Sequence, residues 1–530
     1  MNFSSHRVSR VLGLALGASI ATIALPATVG AQEVRAVMHS AIRVLDPIIT
    51  TAHITRNHGY MIYDTLLGMD SSYQPRPQMA DWTVSDDGLV YRFTLREGLT
   101  FHDGAPVTAA DCVASLRRWA ERDAGGQMMM EHAASLEAEG DDTIVLTLEQ
   151  PFTYVAELLA KPSSVPAFIM PERIANTPST EAIGEHVGSG PFRFVADAFQ
   201  PGVQAVYEKF AEYRPRDEPP SWTAGGKTVN VDRVVWVAMP DAQTAISALM
   251  GGEIDFMEAV PTDLLPILET NPELTVGVIN ELGSQTMGRM NFLYPPFDKP
   301  EIRRAARKAL SQEATLAALI GNPEYYSICG SFYGCSSPLA SEPDPAFVAS
   351  GNAEEAKAML EAAGYDGTPV VILQPTDVVT TSAQPVVAAQ SLRAAGFNVD
   401  MQPMDWQTVV TRRASQEPPA SGGWNMFFTN WVIPEVWNPV VNPMLGGGGR
   451  ETGWFGWPGD PKLDDMRRAF ASASSDDERK EIATQLQNYA LGNVTYVPLG
   501  EYRSPSAWTA SVNEVIRSPI PVFWGMTKSQ

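Results

Sequence analysis

Short runs that alternate apolar and polar positions with period two recur along the chain, separated by longer runs with helical spacing. Residues 90–95 (VYRFTL) alternate faces behind the turn signal Asp86-Asp87-Gly88, which predicts a strand. A second turn at Asp103-Gly104 leads to Thr108, whose hydroxyl can cap a helix with Asp111 three residues on, so a helix is expected over 109–121. Residues 241–251 read as a helix stopped by Gly251-Gly252 and followed by a short strand, 253–256. Behind Pro300, residues 301–310 form another helical pattern. Then come a helix over 353–363 stopped by Gly364, a strand over 369–374, a helix over 382–395 stopped by Gly396 and a strand over 397–402. Two charged helices, about 461–471 and 476–491, precede Tyr496-Val497-Pro498-Leu499. This order is α/β grammar, with no short internal repeat.

Length and charge narrow the class. At 530 residues the soft prior is about three domains or lobes. A composition of 44 % hydrophobic and 19 % charged residues is that of a globular chain able to bury a large core. The balance of 38 Lys plus Arg against 61 Asp plus Glu argues against a sequence-independent grip on nucleic acid or an anionic membrane.

The first 31 residues place the chain in a compartment. Arg7 and Arg10 precede an apolar run over 11–25, and small residues follow, with Val29 and Ala31 at the −3 and −1 places of a cleaved secretory signal. The run is shorter than the ~20 residues a membrane span needs, and no Cys stands at the cut to carry a lipid anchor. A soluble mature protein is expected, in the periplasm if the source is a Gram-negative bacterium. An oxidising compartment favours a disulfide between Cys329 and Cys335, with Gly330 and Gly334 letting the loop fold back. Their spacing is wrong for a CxxC redox or zinc motif, and Cys112 reads as a small buried hydrophobe.

The segments from 75 to 119 (PRPQMADWTVSDDGLVYRFTLREGLTFHDGAPVTAADCVASLRRW) closely resemble the signature of the family 5 extracellular solute-binding proteins, the peptide, nickel and opine receptors of ABC importers. Further matches follow in the family's order: Gly188-Ser189-Gly190-Pro191-Phe192, AISALMGGEID over 245–255, Met290-Asn291 with Pro295-Pro296-Phe297-Asp298, AEEAKAMLEAAGY over 353–365 and VDMQPMDW over 399–406. The turn chemistry of these pieces accounts for most of them structurally. The resemblance implies an α/β, two-lobed periplasmic-binding-protein fold with an extra subdomain inserted in the first lobe. Lobe I would comprise 33–74 with 190–280 and 500–530, the insert 75–189 and lobe II 281–499. The hinge crossings would lie near Gly283-Ser284 and Gly500-Glu501.

Family ligand sites draw on a Trp-rich part of the second lobe, here Trp406, Trp424, Trp431, Trp437, Trp454 and Trp457. Trp431 and Trp437 are candidates for the cleft, and core packing is the reading for Trp406 and Trp424. In peptide-binding members an Asp just after this Trp pairs with the α-ammonium group. The stretch NWVIPEVWNP has no Asp, leaving Glu435 as the candidate carboxylate and Asn438 where many relatives carry the Asp before Pro. A carboxylate end calls for a fork-shaped cation, for which Arg412, Arg413 and Arg289 are candidates. The family likeness adds His53, Thr55 and Tyr63 from the first lobe.

An enzyme reading finds no support in the seven scattered His residues, nor in any HExxH, GxSxG or Walker motif. The expectation is a monomeric receptor without cofactor. It would capture a di- or oligopeptide and deliver it to the ABC transporter permease subunits of the inner membrane. A non-peptide cargo, such as an organic acid, a sugar-related compound or a metal chelate, is the alternative, and a secreted hydrolase or chaperone-like binder a third reading.

Overall fold

Residues Val90–Leu95 form a strand that buries Tyr91, Phe93 and Leu95, as their alternation predicts. The computed structural model describes residues 32–529 other than Asp344, Ala346 and Phe347, so the leader read over residues 1–31 lies outside the described residues. Val90–Leu95 belongs to a four-stranded antiparallel sheet in the order Ala80–Val84, Val90–Leu95, Thr143–Leu148, Ala133–Glu139. Helix Ala109–Ala120 packs against this sheet and buries Cys112, which is free. Its N-terminus carries the expected reciprocal cap: Thr108 Oγ1 accepts from the Asp111 amide at 3.4 Å, and Asp111 Oδ2 accepts from the Thr108 amide at 2.8 Å.

Two larger sheets carry most of the remaining strands, and three two-stranded pairs the others. The first has seven strands in the order Phe192–Phe194, Gln204–Lys209, Arg233–Val237, Glu33–Val37, Phe256–Met257, Pro505–Thr509, Leu274–Val278. Glu33–Val37 is parallel to both its neighbours, and the other pairs are antiparallel. The second has six strands in the order Tyr326–Ser327, Val497–Tyr502, Ser284–Met290, Met426–Val432, Val370–Pro375, Val399–Met404. In it, Val370–Pro375 and Val399–Met404 are parallel neighbours joined through helix Gln384–Ala394.

Several boundaries shift for local reasons. Of the strand expected over 253–256 only Phe256 is paired, in strand Phe256–Met257, because the Glu253 and Ile254 amides still return to the Ala248 carbonyl at the end of helix Ala242–Met250. Likewise the Phe397 amide closes back on Leu392, so the next strand starts at Val399. The chain passes from the seven-stranded to the six-stranded sheet between Val278 and Ser284, and returns between Tyr502 and Pro505. Gly500, expected at the return crossing, lies inside strand Val497–Tyr502 with φ +90°, where a Cβ would run into Leu316. It permits a helix to approach the strand closely. Cys329 and Cys335 are joined by a disulfide in the segment after the edge strand Tyr326–Ser327.

Replacing Thr108 by Ala is expected to lower unfolding stability by about 1 kcal/mol, read as a lower urea midpoint at constant slope, whereas Thr108→Ser keeps the cap.

Candidate ligand-binding cleft

The parallel strands Glu33–Val37 and Phe256–Met257 end side by side, and the residues just beyond them, His39 and Glu258, reach the same place. Groups at the carboxyl ends of parallel strands commonly face a ligand crevice. Here they form one wall of a cavity of about 120 Å³, together with His53 and Arg56 from the first turn of helix His53–Ile62. The opposite wall comes from the six-stranded sheet: Asn430 and Trp431 of strand Met426–Val432, with Trp406 and Arg413 from the two ends of helix Trp406–Arg412. The volume is near that of the ~150 Å³ cavity that encloses a benzene ring, so the enclosed part suits a small ligand or part of a larger one.

Arg413 is the most telling group. It is 2 % exposed, and its guanidinium lies over Phe455 at 5.1 Å, Trp406 at 5.5 Å and Phe427 at 5.7 Å. Its one hydrogen bond is a long one from Nη2 to Thr51 Oγ1 at 3.4 Å, and Nε has no acceptor among the described residues. Burial, with no carboxylate among the described residues near enough to offset it, pushes its pKa down to about 9. Nε1 of Trp431, another cavity residue, likewise has no acceptor among the described residues. A buried cation with a single long hydrogen bond and a buried donor with no acceptor among the described residues mark a wall made for an electron-rich ligand group.

Glu435 occupies a different role from the one its sequence suggested. It has no exposure, and its Oε2 accepts from His53 Nε2 at 3.0 Å and from the Val432 amide at 2.8 Å. Oε1 accepts from the Ser163 hydroxyl, with Arg56 Nη1 3.9 Å away. Although burial alone would raise its pKa, His53 and Arg56 hold the carboxyl below its ordinary range, while burial lowers the pKa of His53. A neutral His53 donating to an ionised Glu435 fits both directions. Glu435 therefore ties the two walls together from behind them.

The structure brings His53, Trp431 and Arg413 to the cavity, and Trp406 as well, which core packing alone did not anticipate. It sends the remaining candidates elsewhere. Arg289 is fully buried, with Nε donating to the carbonyl of Phe455 and Nη1 to those of Met444 and Thr495, and it does not line the cavity. Arg412 staples a loop through the carbonyls of Gly422 and Gly423. Thr55 donates to the Val44 carbonyl, and Tyr63 is buried against Phe168 after the helix has ended. Asn438 accepts from the amides of Val440 and Val441 to shape a turn, and Trp437 packs edge-on against Tyr73 at 5.4 Å. His39 and Glu258 had no sequence signal, since they stand 219 positions apart and meet only through parallel pairing.

Comparison with known proteins decides the family. Residues 74–452 match the profile of the Bacterial extracellular solute-binding proteins, family 5 Middle. The chain belongs to family 5 of the bacterial extracellular solute-binding proteins. Among relatives of this family 5 chain is the Probable peptide ABC transporter periplasmic-binding protein y4tO of Sinorhizobium fredii, 39 % identical over 525 residues that cover 98 % of each protein. The agropinic-acid complex of AgaA from A. tumefaciens R10 superposes with a TM-score of 0.77 at 21 % identity, covering 94 % of this chain and 99 % of that one. DppA from Helicobacter pylori with the peptide STSA gives 0.77 at 20 % identity, covering 94 % and 98 %. The fold is thus the two-lobed α/β fold of these receptors, and the family is one of solute-binding receptors, not enzymes. Among the described residues, no helix is long and apolar enough to cross a membrane.

Acid should weaken this family 5 protein in a definite window. Burial lowers the pKa of His53, His58 and His186 and takes His102 down to about 4. Such groups bind protons more readily in the unfolded chain, so their contribution is intact above about pH 6.5 and is lost as pH falls below it. The depressed carboxyls of Glu435 and Glu258 extend the loss below the ordinary carboxyl range, about pH 4.5. Urea midpoints at pH 7.5, 6 and 4.5 should decline steadily, and a flat profile would contradict the assigned charge states.

Proposed function

We propose that this receptor is the periplasmic substrate-binding component of an ABC importer and captures a small peptide between its lobes, gripping the peptide carboxylate with Arg413. The observation that carries this reading is the buried Arg413 guanidinium on the cleft wall, which pairs with no carboxylate among the described residues. An arginine fork matches a carboxylate in two parallel hydrogen bonds, and an apolar bed of aromatic rings strengthens them. The name of the S. fredii relative and the peptide held by H. pylori DppA support a peptide over an organic acid, a sugar-related compound or a metal chelate. The enclosed volume would hold one end or one side chain of a peptide, with the rest extending along the neighbouring spaces that share His39 and Thr51 with it.

The chain would be exported by cleavage of residues 1–31 and would act as a monomer, releasing its cargo unchanged to the inner-membrane permease. Membership of the two large sheets supports lobe I as 33–74 with 190–280 and the chain from 503 onward and lobe II as 281–502, while 75–189 would be an insert that stays tied to lobe I by the pairing of Pro75–Pro77 with Leu67–Met69 and of Phe168–Ile169 with Asp64–Thr65. The ligand would favour closure because only the closed state contacts it from both lobes.

In calorimetric titrations against a dipeptide library, Arg413→Met should lower affinity for free-carboxylate dipeptides by about 30-fold or more, as expected for truncating one partner of a buried charge pair. C-terminal amides should bind the unmodified receptor weakly, and Arg412→Met should change nothing. Undiminished binding by Arg413→Met would remove this residue from the site.

A further inference from the structure

We infer that the ligand's ammonium end is held from the first lobe, by Glu258 oriented by His39, and not by Glu435 of the second. The inference rests on the peptide reading above and names the second anchor of the same cleft. Two carboxylates stand near the ligand space, and their surroundings differ. Glu435 is sealed, with His53, the Val432 amide and Ser163 on its oxygens and Arg56 at 3.9 Å. The protein's own groups already solvate that charge, so an incoming ammonium would have to displace them.

Glu258 is arranged the opposite way. Its Oε2 accepts from the His39 backbone amide at 2.8 Å and from His39 Nδ1 at 2.9 Å, while Oε1 accepts from no described residue. The side chain is 18 % exposed and is the sole carboxylate among the described residues lining the cavity. Two donors on one oxygen fix the carboxylate plane, and the other oxygen is left open to a charged donor. His39 acts here as a positioning residue.

The charges point the same way. Arg56 stands in ion-pair range of Glu435 and of no other described carboxylate. Glu258, whose charge is met on one oxygen by His39 and only at longer range by Arg56, keeps its other oxygen open on one wall, and Arg413 on the other has no carboxylate in ion-pair range among the described residues. A buried charge that is only partly compensated is costly, and a ligand that carries an ammonium at one end and a carboxylate at the other offsets both together. Because the two anchors belong to different lobes, such a zwitterion also bridges them, whereas a ligand lacking either end leaves one lobe's charge uncompensated.

The test uses the tightest dipeptide of the library and its desamino analogue, in which hydrogen replaces the ammonium group. Both are titrated into the unmodified protein, Glu258→Gln, Glu435→Gln and His39→Ala. The unmodified protein and Glu435→Gln should prefer the dipeptide by about tenfold or more. Glu258→Gln should bind both with the affinity the unmodified protein shows for the analogue, which also demonstrates that the variant is folded. His39→Ala should keep part of the preference. A preference that survives in Glu258→Gln overturns this assignment and leaves the peptide reading standing; failure of the unmodified protein to bind any dipeptide overturns both. Should Glu258→Gln not fold, a crystal structure of the dipeptide complex decides: the ammonium nitrogen is expected about 2.8 Å from Glu258 Oε1, and its placement at Glu435 overturns the assignment.

Discussion

A carboxylate with no access to water must be solvated by the protein itself, and at Glu435 that solvation comes from across the molecule. Glu435 follows the strand Met426–Val432 of the six-stranded sheet, yet His53, Arg56 and Ser163, which satisfy it, belong to segments on the other side. Taking away one partner of such a buried group typically costs 3–5 kcal/mol, far more than an exposed pair is worth. The relative placement of the two cleft walls is thereby pinned at one point, and everything that faces the ligand is set out from it. Surface pairs that also span the walls, such as Arg43 with Asp405 at 3.0 Å, are screened by water and add little.

With that carboxylate satisfied internally, the remaining charge in the cleft is left for a guest. Arg413 illustrates why arginine and not lysine serves: a planar, weakly hydrated guanidinium can rest on Trp406, Phe427 and Phe455 and still present donors at its edge. A lysine ammonium buried in the same aromatic surround would tend to give up its proton. The Trp-rich segment thus acts largely as a bed for a cation, and Trp424 and Trp457 pack behind it at 5.8 Å from one another.

The family, the α/β order and many helix starts were legible in the sequence because they depend on neighbours in the chain. Thr108 and Asp111 make their cap three residues apart, and Val90–Leu95 shows its buried face by simple alternation. The candidate site was legible only in part. Arg412 and Arg413 are adjacent and chemically identical, and only the end of helix Trp406–Arg412 decides that one meets the cleft while the other caps the Gly422 and Gly423 carbonyls. Arg289 has the right chemistry, but strand Ser284–Met290 lies in the middle of its sheet and turns that side chain into the interior. His39 and Glu258 carry no motif at all, since their meeting is a product of parallel strand pairing between distant segments.

The position of strand Pro505–Thr509 has a consequence for the order of folding. It lies between Phe256–Met257 and Leu274–Val278, so the seven-stranded sheet has a gap until nearly the last part of the chain has been made. Such non-local pairing must meet its loop-closure entropy before any contact rewards it, which slows completion. The second sheet, whose strands all lie between residues 284 and 502, can assemble before the first is closed. A polypeptide built this way stays incompletely locked while its C-terminus is still being synthesised. That delay is an advantage for any chain that has to be threaded through a narrow channel before it folds.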